Sequence, residues 1–527
     1  VKILVLGGYG VFGERLARLL VADGHELCIA GRNLEAAERL AADLGCRACR
    51  MDRGGDLGLL AAHEVVIDAA GPFHAYGGDP YRLPRAAIAA GVHYLDLCDN
   101  AEFCAGIAVL NDEALRAGVC VLSGLSSVPA LSSAAVEALA AGGRVRVIDT
   151  AILPGNRAPR GLSVMESILA QSGQPMEVWR GGRWERAFGW SDPARYDLPG
   201  GIVRQGWQIA VPDLRLFPAR FGAETVRFRA GLELGVMRYG LAGFAMLRRV
   251  LPIPVTPAVV RVFKAVADGL EPFGSGRGGM SVMVQVGQER RWWRLLAEDG
   301  DGPFIPAVPA RALLRRKALP VGAGPALCVI SLDEAEAAMS DLRVVTERAV
   351  ETVVPIFPRV LGDAFERLPD EIRVTHLTAD CSRWAGRSVI ERGTGLWERG
   401  LAALFGFPAA AGDVAVEVTK TVTPRGETWV RRFGGREFRS HLAATAAGMT
   451  ERFGPFTFLL GLRVESGRLY YPVVRGRLGP LPLPRWLLPS AEACEREEDG
   501  RFCFDVAIFA PLTRRLIVRY RGWLMAA

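Results

Sequence analysis

The chain has 527 residues, half of them apolar, with a mean hydropathy of +0.18, which excludes an intrinsically disordered tail. Its 61 glycines and 32 prolines follow no collagen period and form no low-complexity run, so a fibre is excluded as well. The net charge of +7 is diffuse and almost all arginine, because Lys2, Lys264, Lys317 and Lys420 are the only lysines, and it carries no nucleic-acid or membrane footprint.

At about 150 residues per domain, the length allows three or four domains. KILVLG (2–7) reads as a buried strand and GERLARLLVADG (13–24) as an amphipathic helix stopped by Gly24. The chain passes directly into this domain without a signal-peptide run, so the expected compartment is the cytoplasm. HELCIAG (25–31), EVVIDAAG (64–71), VHYLDLCD (92–99) and VCVLSG (119–124) repeat the strand signal, with helical LEAAERLAADLG (34–45) and PYRLPRAAIAAG (80–91) between them. Short apolar strands alternating with helices predict a mostly parallel sheet covered on both faces.

Within that alternation Gly8, Gly10 and Gly13 spell G-x-G-x-x-G where the first strand enters the first helix, with Tyr9, Val11 and Phe12 between them. Gly8 is expected to make the tight turn, Gly10 to admit a pyrophosphate against the backbone, and Gly13 to pack helix on strand. The second strand ends Ala30-Gly31-Arg32-Asn33. No carboxylate stands there to bond the ribose hydroxyls of NAD, and the planar fork of Arg32 suits a 2′-phosphate. NADP is the expected cofactor, with NAD as the alternative. Arg32 and Asn33 join the loop residues as candidate cofactor contacts. So do Asp52, past the third strand near the adenine, and Gly71-Pro72, past the fourth along the ribose and nicotinamide. His74 follows as an acid–base candidate or a solvated loop histidine. At the fifth strand exit Asp96, Cys98 and Asp99 cluster, either facing substrate or capping a helix. Cys46 and Cys49 have C-x-x-C spacing but enter a strand, which speaks against a redox pair.

These segments resemble the saccharopine dehydrogenase family: VLGGYGVFG (5–13), IAGRN (29–33), AAGPF (69–73), HYLDL (93–97) and SGLSSVPALSS (123–133) carry the likeness over roughly residues 1–330. At the strand-five exit, Cys98-Asp99 stand where the family commonly has Gly-Glu. The resemblance implies a nicotinamide cofactor and hydride transfer, and it leaves the substrate open.

Residues 151–350 lose the strict alternation and read as a mixed α/β substrate or dimerisation domain. Strands are expected at 144–152, 279–287 and 326–332, with 291–300 closing a hairpin and a helix at 161–173. Trp179, Trp184, Trp190 and Trp207 either line an apolar pocket or fill the core. The apolar, arginine-edged stretch 236–268 reads as helical, with a homodimer face or membrane surface as its outlets if it is exposed.

From about residue 355 short alternating runs separated by turn residues predict a β-rich, antiparallel, barrel-like domain over 355–527, with 476–490 as a proline-punctuated crossing anchored by Trp486. VLGDAFERLP (360–369), VIERGTGLW (389–397), WVRRFGG (429–435), ERFGPF (451–456), LPRWLLP (483–489), DGRFCFDV (499–506) and VRYRGWL (518–524) resemble a bacterial domain of unknown function often fused behind saccharopine dehydrogenase-like domains. Arg431, Arg432, Glu451, Arg452, Arg485 and Arg519 form either an internal ion network or an acidic-ligand site. His376 and His441 lack the neighbours of a metal site, so none is expected.

The expected architecture is α/β: a Rossmann-type parallel sheet over residues 1–150, an inserted mixed α/β domain over 151–350, and a C-terminal β-rich domain. The expected function is an NADP-dependent oxidoreductase passing a hydride between the nicotinamide and a small carbonyl, imine or amino-acid-like substrate. The alternative is a non-catalytic NADP-binding sensor or scaffold with a C-terminal ligand-binding domain, since no Tyr-x-x-x-Lys or His-Asp set falls near the cofactor. The expected partners are a small-molecule substrate and, through residues 151–350, a second copy; neither nucleic acid nor firm membrane association is expected.

Overall fold

A computed structural model describes residues 1–73, 76–159 and 161–527, apart from the side chain of Ser163; His74 lies outside the described residues. The chain forms two compact units, one of residues 1–179 and 184–351, the other of 352–527 with the short segment 180–183.

In the first unit β1 (Lys2–Leu6), α1 (Val11–Ala22), β2 (Glu26–Gly31), α2 (Leu34–Leu44), β3 (Arg47–Arg50), β4 (Val65–Asp68), β5 (His93–Asp96) and β6 (Cys120–Ser123) build a parallel sheet. A seventh strand, Gly322–Pro325, adds parallel to β6, and the order is Gly322–Pro325, β6, β5, β4, β1, β2, β3. That is the doubly wound order, and its crevice lies at the carboxyl ends of β1 and β4, where the order reverses. Strand side chains alternate between two cores: Ile3, Val5, Ile29 and Ile67 face one helix layer, Leu4, Leu6, Val66 and Tyr94 the other. Burial on both faces is why these strands read as continuous apolar runs.

A nine-stranded mixed sheet is inserted between β6 and the seventh strand, except for its edge strand Val344–Thr352, which follows the seventh strand in the chain. Its central strand Val145–Leu153 pairs parallel with Thr225–Gly231 and antiparallel with Gly278–Val286, which forms the expected hairpin with Glu289–Ala297. One expectation fails here. The apolar run 326–332 is not a strand; pairing ends at Pro325, four residues of bend follow from 327, and the helix Leu332–Ala338 begins under a capping box from Ser331. Cys328 takes a left-handed φ of +53° and its N–H donates to Ser133 Oγ at 2.9 Å, so the apolar run folds into the core as a loop. The seventh strand itself, Gly-Ala-Gly-Pro, has too little side chain to show in a hydropathy pattern.

Trp190 and Trp207 are core residues, stacked with ring centroids 5.5 Å apart, while Trp184 is exposed. The stretch 236–268 is helical, as Gly235–Val250 and Pro257–Gly269, and buries Leu241, Ala245 and Val260 while Val236, Met246, Val250 and Val262 stay exposed. No helix of the described residues is long and apolar enough to cross a membrane.

The second unit is a thirteen-stranded antiparallel sheet with short helices at its start. Its core gathers Trp429, Phe433, Phe458, Phe504 and Tyr520 from strands far apart in the sheet order, with Phe357 from the short helix Ile356–Leu361, so the sheet curls around its own inner face. Trp486 does not anchor the 476–490 segment: it is 60% exposed, and Leu488 is buried instead. The tail arginines pair locally, Arg431 with Glu451, Arg432 with Glu417 and Glu437, and Arg519 with Asp505.

Candidate functional site

Parallel register aligns the carboxyl ends of the central strands. Leu6 sits opposite Ala30 on one side and Asp68 on the other, and Asp68 opposite Asp96. The loops after β1, β2, β3 and β4 therefore open on one edge of the sheet, and that edge holds every candidate cofactor residue read from the sequence.

The β1–α1 turn is built on glycine. Gly7, rather than Gly8, takes the left-handed conformation, φ +73°, and a Cβ there would lie 2.7 Å from the backbone of Ala70. Gly8 is pressed instead between Val5 and β2, where a Cβ would meet Ile29 at 3.1 Å. Gly10 precedes the first helical residue in extended conformation, with its N–H donating to Gly7 O at 2.9 Å and its carbonyl accepting from Glu14 N at 2.9 Å. At Gly13 a Cβ would stand 2.3 Å from Gly7 O, so only glycine lets α1 approach the turn. The N-terminal N–H groups of α1, from Val11 and Phe12 onward, face the loop mouth with the positive end of the helix dipole.

Tyr9 closes the loop on the next strand. Its ring lies over Gly31, where a Cβ would come within 2.3 Å, and its hydroxyl accepts from Asn33 N at 3.1 Å. Asn33 in turn caps α2, accepting from Ala36 N at 3.1 Å. Arg32, between these fixed residues, is exposed. Asp52 is spent locally, its Oδ1 accepting from Gly54 N at 2.9 Å.

The neighbour of Asp52 escaped the sequence reading. Arg53 is half-buried with its guanidinium 3.3 Å above the Tyr76 ring, and Nη1, 3.9 Å from Asp68, is buried without a hydrogen-bond partner. No motif marks Arg53, which lies past β3 and meets Asp68 and Tyr76 only in the folded chain.

The carboxylates at the strand ends are structural. Asp68 accepts from Ala70 N at 3.0 Å and from the Tyr76 hydroxyl at 2.9 Å, and burial pushes its carboxyl up to about 6 against the pull of Arg53. Asp96 accepts from Gly124 N at 2.7 Å, Ser123 Oγ at 2.9 Å and Cys98 N at 3.0 Å, tying β5 to the exit of β6. Burial still raises it to about 7. The helix after β5 is capped by Asn100, whose Oδ1 accepts from Phe103 N at 2.9 Å, and not by either aspartate. Gly71-Pro72, a cis peptide, leaves Gly71 exposed on the loop after β4, above an aromatic cluster of Phe73, Tyr76 and Phe103.

A second group missed by sequence is Asp213, in the first turn of the helix Pro212–Phe221. It is fully buried and neither oxygen meets a donor in hydrogen-bond geometry, so burial pushes it up to about 8, with the Ser132 hydroxyl as the group that favours its charge. Its helix packs on the segment Ser127–Leu131 that follows β6. An isolated aspartate after a proline reads in sequence as an ordinary helix start.

The residues present fit a dinucleotide. A glycine cradle that a Cβ would fill, a helix N-terminus at its mouth, and an exposed arginine past a strand end that carries no exposed carboxylate are the features such a phosphate ligand needs.

Comparison with known proteins agrees with that geometry. Residues 3–122 match the family described as Saccharopine dehydrogenase NADP binding domain, and residues 368–524 match Domain of unknown function (DUF4166). A search of curated proteins returns no match. Among solved structures, saccharopine dehydrogenase (L-Glu forming) from Saccharomyces cerevisiae is 16% identical, with 66% of this chain and 99% of that chain covered at a TM-score of 0.46. A putative myo-inositol dehydrogenase from Sinorhizobium meliloti 1021 is 14% identical, with 44% and 70% covered at a TM-score of 0.26. An imine reductase from Bacillus cereus BAG3X2 is 18% identical, with 23% and 39% covered at a TM-score of 0.18. The chain thus joins an N-terminal saccharopine dehydrogenase-like, NAD(P)-binding domain to a C-terminal DUF4166 domain.

Proposed function

We propose that the first unit is an NADP-dependent oxidoreductase acting on a small carbonyl, imine or amino-acid-like substrate. The observation that carries the NADP preference is Arg32, exposed just past the end of β2, where an NAD enzyme would present a carboxylate. The chain's own residues supply binding and orientation. Backbone N–H groups of the loop Gly8–Gly13 and the N-terminus of α1 hold the pyrophosphate, and Arg32 holds the 2′-phosphate. Asn33, Asp52, Gly71 and Pro72 bound the adenosine and nicotinamide halves. The nicotinamide, when bound, supplies or accepts the hydride.

Fluorescence titration with NADPH and NADH tests this reading. The wild-type chain is expected to prefer NADPH, and Arg32→Ala is expected to weaken NADPH by about tenfold while leaving NADH within about twofold, the loss of one charge-assisted phosphate contact. Equal affinity for the two cofactors, or a preference for NADH, refutes it. Oxidation of bound NADPH by one of a panel of carbonyls and imines distinguishes an enzyme from a binding protein; tight binding with no turnover across the panel selects the latter.

A further inference from the structure

The second unit encloses a cavity that the dinucleotide site leaves unexplained. The centre of a water molecule can sweep about 160 Å³ inside it, roughly ten times what one water needs. Most of its wall is aromatic or aliphatic, including Phe405, Phe433, Phe458, Phe504 and Ile517. Such a lining favours an apolar occupant.

Among these apolar residues stands a lysine. Lys420 lines the cavity, is fully buried, and donates from Nζ to the carbonyl of Thr375 at 2.6 Å. Nζ lies 3.9 Å from the centre of the Trp429 ring and 3.5 Å from His376 Nδ1. No carboxylate among the described residues comes within ion-pair distance, 4.0 Å, of it. The nearby acids are engaged elsewhere. Glu495 accepts from the Tyr471 hydroxyl at 2.6 Å and lies 2.6 Å from His376 Nε2, Glu427 accepts from Trp429 Nε1 at 2.8 Å, and Glu451 pairs with Arg431 at 3.1 Å. Burial lowers the Lys420 ammonium pKa well below an ordinary lysine's. Glu495 and Glu427 oppose that shift and Arg431 reinforces it. Burial likewise pushes His376 down to about 4 and leaves it neutral at pH 7, so it adds no cation beside the amine.

A buried amine without a carboxylate partner is a nucleophile held ready for a carbonyl. The other lining charges, Arg431 with Glu451 and the held Glu495, give an anionic or cationic head no unmatched partner, which favours a neutral ligand. We propose that this cavity takes a neutral, largely apolar aldehyde or ketone and holds it as an imine on Lys420. The Nζ lone pair adds to the carbonyl carbon and one N–H proton passes to the carbonyl oxygen, giving a carbinolamine. Loss of that hydroxyl with the second N–H proton as water leaves the C=N bond. Nothing is oxidised or reduced, and water is the only product released.

The test uses the full chain, decanal as the probe, and borohydride to trap the imine, followed by peptide mass mapping. The chain's four lysines make the map simple, because Lys2, Lys264 and Lys317 report surface reactivity. At pH 7, with decanal stoichiometric to protein, the secondary-amine adduct is expected on Lys420 at least fivefold above any other lysine, and that excess is expected to vanish in urea. Lys420→Met is expected to lose the adduct. Ala493→Phe, which fills the cavity and keeps the amine, is expected to lower it at least fivefold, so the proposal stays testable if Lys420→Met does not fold. Labelling confined to the surface lysines and the amino terminus, or a Lys420 adduct insensitive to Ala493→Phe, overturns it.

Discussion

At the scale of the residue, two groups carry more than their chain position suggests. Gly13 is fixed by the 2.3 Å that would separate a Cβ from Gly7 O, a distance no side chain tolerates. Gly13→Ala is expected to cost about 1–3 kcal/mol of stability, as overpacking does, and to weaken NADPH binding with it. Chemical denaturation read alongside NADPH titration checks this, and an unchanged midpoint would show that the turn relaxes freely. Asp213 works the other way. Its folded-state pKa lies above the unfolded one, so the folded chain holds a proton that the unfolded chain releases, and stability falls as pH rises from about 4 to about 8. Asp213→Asn, neutral at every pH, is expected to unfold at a higher temperature than wild type at pH 8, by about 2–4 °C per kcal/mol gained, with the difference closing near pH 4. A variant less stable than wild type at pH 8 would show that the carboxyl is satisfied in a way its geometry does not reveal.

At the scale of the element, the end of α1 is tied to the helix Val308–Leu314. The Asp23 carboxylate at the C-cap of α1 pairs with Arg311 and Arg315, each at 2.8 Å, and Arg311 also reaches Asp341 at 2.6 Å. Burial alone would raise the Asp23 pKa, but hydrogen bonds from Arg315 and Arg311 overcome it and hold the carboxyl well below its usual range. Stability from this tie is therefore fully present above pH 4 and is lost as pH falls through the depressed pKa. Asp23→Asn is expected to cost about 3 kcal/mol at pH 7, since it leaves the buried Arg311 with one acid instead of two. It is also expected to flatten the acid limb of the stability curve. Thermal melts between pH 3 and pH 7 measure both effects, and parallel curves for variant and wild type would refute the assignment. Nothing in the α1 sequence foretold the tie, because its partners lie almost 290 residues downstream.

At the scale of the whole molecule, two compact units whose hydrophobic clusters share no residue imply two separately addressable unfolding events. Calorimetry is expected to resolve two transitions, of which saturating NADPH raises one and leaves the other within about a degree, since a ligand stabilises only the state that binds it. A single transition that NADPH moves as a whole would show that the cores unfold together.

How much of this could be read in advance depends on the range of the signal. The central strands of the parallel sheet were legible because each is buried on both faces and announces itself locally, as KILVLG and EVVIDAAG do. The glycine loop was legible because its constraint spans six residues, although the sequence assigned the turn to Gly8 where packing against Ala70 gives it to Gly7. Arg53, Asp213 and Lys420 were not legible. Each is an ordinary residue in its local sequence and becomes chemically distinct only when burial strips its solvent and distant strands supply or withhold a partner. The sequence by itself determined the central strands of the parallel sheet, the glycine-built turn after β1 and the antiparallel character of the tail, because backbone periodicity and steric demand are local. Only the tertiary structure decided the seventh strand, the seat of Arg53 against Asp68 and Tyr76, and the cavity around Lys420, because these depend on contacts between residues far apart in the chain.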